Sequence, residues 1–264
     1  MAGIDVVVYI VCFLASLLGP LCGIGGGVII KPVVDSLGIL PVATVSFLSS
    51  VSVLVMALAT CVQNTVARSW LVDIPSLMPM AIGSAAGGCL GKVAFEKLAS
   101  MLPDAEFIGG VQALVLIFLS CVVLIYTLRR QSVRSRDVSS GIARCAIGGA
   151  AGACWSFLGI GGGPFNLALL TFFCSMESRY AAQASLFIIL LSQLSGVGYS
   201  VASGGVPPIS PILMAGACLC AIGGSIVGRR LSMRFDSAKV DRLYLGALAL
   251  IIVLSVWNVV RFLL

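Results

Sequence analysis

The chain has 264 residues, of which 59% are hydrophobic and 10% charged, and its mean hydropathy is +1.14. So little polar side-chain surface excludes a water-soluble globule of this size and makes the chain an expected integral membrane protein. The net charge of +6 is carried by Lys and Arg in short segments between apolar runs, so it reads as an orientation signal, and no nucleic-acid partner is expected.

The first apolar run, 4–34, starts at Ile4 with no Lys or Arg ahead of it, so no cleavable signal peptide is expected. It is longer than a crossing helix needs. The string Gly23-Ile24-Gly25-Gly26-Gly27 interrupts it, shortly after Pro20. Helices are then predicted over 41–61, 71–91 and 105–128, each close to the roughly 20 residues that cross a hydrocarbon core. Residues 129–144 are the longest polar stretch, and 129–140 is read as a cytoplasmic basic linker, with no soluble domain. The run 141–175 is again over-long, and Gly159-Ile160-Gly161-Gly162-Gly163 interrupts it just before Pro164. Helices over 180–202, 210–228 and 242–263 complete the chain.

At 1.5 Å per residue, roughly 30–35 helical residues run about 45–50 Å, against a core of about 30 Å. Each over-long run is therefore a tilted helix or a hairpin that enters, breaks and returns to its own side. Charge separates the two. If all eight runs cross and the linker is cytoplasmic, seven of the sixteen basic residues face the cytoplasm, which inverts the positive-inside rule. If 141–175 returns, twelve are cytoplasmic, and only Lys31, Lys92, Lys97 and Arg261 are outside. No Lys or Arg precedes Lys31, so symmetry decides the first run.

The expectation is an all-α polytopic membrane protein with an inverted repeat, each half a broken re-entrant helical hairpin plus three transmembrane helices. The first repeat covers 1–128 and the second 141–264, with both termini extracytoplasmic. Beyond the glycines, Ala43-Thr44-Val45-Ser46-Phe47-Leu48 aligns with Ala182-Gln183-Ala184-Ser185-Leu186-Phe187, so Thr44 and Ser46 pair with Gln183 and Ser185. Small residues around Gly83 to Gly91 would permit a homodimer.

These features, a duplicated half with a Gly-rich break after its first apolar segment and a short Thr/Ser-x-Ser-like motif leading the next helix, resemble the TauE/SafE family of anion permeases. This family is also called the sulfite exporter or toluene sulfonate uptake permease family. Gln183, where the first half has Thr44, departs from the repeat. The resemblance implies a secondary permease that moves sulfite, an organosulfonate or a related small anion across a prokaryotic inner membrane.

The residues reach an anion without it. A half-helix that starts inside the membrane leaves its first N–H groups unpartnered and presents the positive end of a peptide dipole, and glycine lets a solute approach those amides. The expected substrate-binding residues are Gly23, Gly25, Gly26 and Gly27, then Gly159, Gly161, Gly162 and Gly163, with Thr44, Ser46, Asn166, Gln183 and Ser185 as side-chain donors. Weaker candidates for a vestibule or lining are Lys31, Cys22, Cys154, Trp155 and Gln193. Lys31 draws an anion inward or snorkels to the headgroups. Close helix packing is the bland alternative for the glycines, and interhelical hydrogen bonding for the polar side chains.

There is no His, and all ten acidic residues fall at segment ends or in loops, so no proton relay at mid-membrane is expected. The ten cysteines show neither metal-ligand nor paired spacing. No cofactor, no metal and no enzymatic nucleophile with a base are expected. The rival reading is a membrane subunit that delivers a sulfur compound or a metal to a partner protein, and Cys22 and Cys154 facing a cavity would support it.

Overall fold

The computed structural model describes residues 2–101, 105–130 and 135–263, so Asp104, Arg134 and part of the linker lie outside it. All the elements described are helices: α1 (Ala2–Cys22), α2 (Gly27–Leu37), α3 (Val42–Val66), α4 (Ile74–Met101), α5 (Ala105–Leu128), α6 (Gly141–Leu158), α7 (Gly163–Phe173), α8 (Ser178–Ala202), α9 (Pro211–Ser232) and α10 (Ser237–Leu263). Of these, 8 are long and apolar enough to cross a membrane, and the remaining two are the 11-residue helices α2 and α7 that follow the glycine strings. Neither over-long run is one continuous tilted helix.

Local chemistry accounts for the boundaries. The Ser140 hydroxyl accepts from the Ala143 amide and opens α6, and Pro211 opens α9, where its missing N–H costs nothing. Gly159, at φ 69°, ends α6 with its amide on Ser156 O and the Ile160 amide on Trp155 O, a left-handed cap that a side chain would strain. Hydropathy alone set some ends short. The helix predicted over 71–91 runs on to Met101, because Lys92, Ala94, Glu96, Lys97 and Ala99 end the apolar run yet favour a helix. For the same reason α10 begins at Ser237.

Contacts sort the helix ends into two groups. At one end, Tyr9 Oη donates to Ile212 O, the Ser200 hydroxyl donates to Glu96 Oε1, Arg261 donates to Asp35 O, and Gly109 lies beside Val42 and Phe262. At the other, Arg229 reaches Asn64 and Ser69, Arg130 reaches Ser178, and Arg144 reaches Ser76 O, while the Arg136 and Val138 amides bond to Phe172 O and Phe173 O. This second end also carries Arg68, Arg129, Arg179, Arg230, Arg234, Lys239 and Arg242 and is called the basic end below. The α1–α2 pair starts and finishes at the first end. The α6–α7 pair starts and finishes at the basic end.

Two seams of small residues hold the bundle. Gly83, Gly87 and Gly91 of α4 lie on the carbonyls of Cys145, Gly149 and Ala153 of α6, so close that a Cβ at Gly87 would fall 2.0 Å from Gly149 O. Across the molecule, Gly224 and Gly228 of α9 meet Phe13 O and Leu17 O of α1 at 2.3 and 2.2 Å in the same sense. Such approach replaces the hydrophobic drive that lipid does not supply. The Gly83–Gly91 stripe is thus used inside the chain, and the homodimer that it would permit loses the surface on which it rested.

Candidate functional site

After Cys22 the chain turns at Gly23, φ 65°, and doubles back until Gly26 lies against Ala15, with 3.1 Å from its Cβ position to Ala15 O. Gly26 itself is helical, φ −46°. The second break uses the same five residue types differently, with Gly161 and Gly162 at φ 73° and 88° before Pro164 enters α7. The two breaks touch. The Cβ position of Gly25 is 3.4 Å from both Gly161 O and Gly163 N, that of Gly163 is 3.0 Å from Gly25 N, and that of Gly27 is 2.6 Å from Ile160 O. All ten residues of the two strings are buried.

The turn bonds run from Val28 to Gly25 O, from Ile29 and Ile30 to Gly26 O, and from Phe165 and Asn166 to Gly162 O. Among the described residues the amides of Gly25, Gly26, Gly27, Gly161, Gly162 and Gly163 have no acceptor. Buried amides without partners are rare, because each forfeits its water without recompense. The amides of Gly25 and Gly163 lie in a patch where the two breaks touch, next to the starts of α2 and α7, the ends at which a peptide dipole is positive.

The side chains around this patch come partly from the opposite half. Ser185 of α8 donates to Gly23 O at 2.5 Å, and Ser46 of α3 lies 3.0 Å from the Cβ position of Gly159. The Ser46 hydroxyl is fully enclosed and unpartnered. Gln193 also belongs here, its Nε2 3.3 Å from the Cβ position of Gly161. Trp155 Nε1 donates to Asn166 Oδ1 at 2.9 Å and its ring stacks on Phe165, so the two candidates pair beneath the second break. Ser49 was not foreseen; its hydroxyl lies 3.4 Å from Gly27 O. Its signal was available, one turn beyond Ser46 on the same face of α3.

Other expected members lie elsewhere. Residues two apart on a helix face about 200° apart, so Thr44 and Ser46 do not share a side, nor do Gln183 and Ser185. Gln183 is at the basic end, where it accepts from the Leu71 amide at 2.6 Å and donates to Ser69 O at 3.1 Å. Thr44 is buried in the first turn of α3. Cys22 is fully buried and Cys154 half-buried, and neither lines the pockets at the two ends. Lys31 does not snorkel. It is 3% exposed and bonds Asp35 at 2.9 Å in the next turn of α2.

Access to the centre is unequal. A pocket of about 290 Å³ opens at the basic end beside Pro20, Leu21 and Ala182, next to the first break. At the other end Lys31, Asp35, Gln112, Ser255 and Asn258 enclose only about 10 Å³. The breaks themselves are packed shut between these two spaces. Among the described residues no three His, Cys, Asp or Glu side chains gather as a metal cage.

A family model described as sulfite exporter TauE/SafE matches residues 8–255. No curated protein and no solved structure matches the chain.

Proposed function

The chain belongs to the sulfite exporter TauE/SafE family, a family of membrane transporters rather than enzymes, and we propose that it carries a small sulfur oxyanion at the meeting point of its two glycine breaks. The six unpartnered amides of Gly25–Gly27 and Gly161–Gly163 support this reading above all, because an oxyanion supplies the acceptors they lack. Ser46 and Gln193 add donors from α3 and α8, while Asn166 and Trp155 brace the second break from below. Thr44 and Gln183 are left out of the central site.

We read α1–α5 and α6–α10 as two inverted halves, each a returning hairpin plus three crossing helices, within the proposed 1–128 and 141–264 division. The positive-inside rule assigns the basic end to the cytoplasm of a prokaryotic cell and both termini to the outside. Reporters fused within 136–138 are expected to score cytoplasmic and those at either terminus extracytoplasmic. A cytoplasmic C-terminus would contradict the hairpin reading of the second half.

With no His in the chain and Asp35 held by Lys31, transport follows the solute gradient and the membrane potential, which in a respiring cell favours anion exit. The test is flux in proteoliposomes over sulfite, sulfate, thiosulfate and short sulfonates, with the potential clamped and a pH gradient imposed separately. Saturable sulfite or sulfonate flux that responds to potential is expected. Flux of none of these anions would sink the proposal. Delivery of a sulfur compound or metal to a partner gains no support from the positions of Cys22 and Cys154.

A further inference from the structure

We infer that the pocket at the basic end is a second, preceding oxyanion site, an intake chamber in which Arg179 and Arg229 hold the solute before it reaches the breaks. The inference rests on the transport reading above and adds a site to it. The pocket is lined by Arg179, Arg229, Asn64, Ser69, Thr60 and Gln183 on its polar side and by no Asp or Glu. Arg229 spends Nε on Asn64 Oδ1 at 2.7 Å and one terminal nitrogen on the Ser69 hydroxyl at 2.6 Å, both neutral acceptors. Its charge is therefore oriented and not cancelled. Arg179 makes no ion pair or hydrogen bond among the described residues.

Elsewhere at this end Arg130 lies 3.8 Å from Asp241 and Arg144 lies 3.8 Å from Asp137, whereas the lining of this chamber holds no carboxylate. Two uncompensated guanidinium groups on a half-enclosed wall concentrate anions. A volume of about 290 Å³ admits a sulfite or a short sulfonate with water. Its floor leads inward. Ala182 and Leu186 of α8 line it, and the Cβ position of Gly23 is 2.4 Å from Ala182 Cα, with Ser185 just beyond.

A phospholipid headgroup offers the same oxyanion chemistry, so the test separates the two sources. Arg179→Gln, Arg229→Gln and the double variant are compared with Arg229→Lys, which keeps the charge but loses the bonds to Asn64 and Ser69. Binding of radiolabelled sulfite to the purified full chain is measured by equilibrium dialysis in lipid-free detergent and again with phosphatidylglycerol added. Half-saturation of sulfite flux is measured from each face of oriented proteoliposomes.

The expected result is a rise in half-saturation from the basic face of roughly threefold for Arg179→Gln and about tenfold for the double variant, with Arg229→Lys changed less than Arg229→Gln. Sulfite binding in lipid-free detergent weakens in the same order. Unchanged binding overturns the inference, as does an equal rise from both faces, or an effect of the variants on phosphatidylglycerol alone. If sulfite is not carried at all, dialysis still decides. Sulfite bound by the wild type and lost in the double variant keeps the chamber, and no binding by the wild type removes it.

Discussion

Replacing Gly25 by alanine is expected to lower sulfite flux about a hundredfold, equivalent to roughly 2.8 kcal/mol at 1.4 kcal/mol per factor of ten. The protein should remain inserted and fold normally. The backbone of Gly25 is not left-handed, so a side chain adds no strain. The new methyl meets Ile189 Cδ1 at 3.2 Å, the movable tip of a side chain, and otherwise points at Gly161 O and Gly163 N at 3.4 Å. It thus fills the space between the two sets of amides with little disturbance to the packing. Other glycines give less clear tests. A Cβ at Gly162 combines φ 88° with a 2.5 Å approach to the Trp155 ring, and one at Gly27 comes within 2.6 Å of Ile160 O, so loss of flux there would report strain. Flux at the wild-type rate in Gly25→Ala, with normal insertion, would remove the breaks as the place of binding.

The second large effect is expected at the other end. Lys31→Ala should cost about 3–5 kcal/mol of stability, because it leaves the Asp35 carboxylate buried without its cation. Lys31 and Asp35 are 3% and 5% exposed, and solvent does not soften the loss. Asp35 Oδ1 is already unpartnered, and the guanidinium of Arg261 is engaged with the Asp35 main-chain oxygen. Removing both charges in Lys31→Ala/Asp35→Ala should return most of that loss, and the two single variants will not add. Reversible unfolding in detergent measures all three. A single-variant loss under about 1 kcal/mol would mean that the pair behaves as an exposed one.

The architecture was largely legible in the sequence because membrane spans are written in apolar length and the breaks in glycine. The interruption of 4–34 and 141–175 and the charge imbalance about the second hairpin both follow from local composition. Which side chains share a space was not legible from alignment of the halves. Pairing Thr44 with Gln183 placed both beside the breaks, but helical phase turns Gln183 towards Leu71 and Ser69. Arg229 read only as one member of a basic cluster. Its place in a pocket depends on α9 lying along α3, a contact between residues 165 apart in the chain. The stripe at Gly83–Gly91 was visible as a small-residue repeat, but nothing in the repeat says whether its partner is α6 or another molecule.

The serines also bear on how the protein moves. Ser185 is fastened to Gly23, and Ser46 abuts Gly159, so the loop of each half is gripped by a helix of the other. A tilt of α8 relative to α1 must drag one loop, and a tilt of α3 relative to α6 the other. If the breaks hold the cargo as proposed, these crossed contacts place each loop where a tilt of the opposite half would be felt, the arrangement that a rocking exchange between two compartments would use.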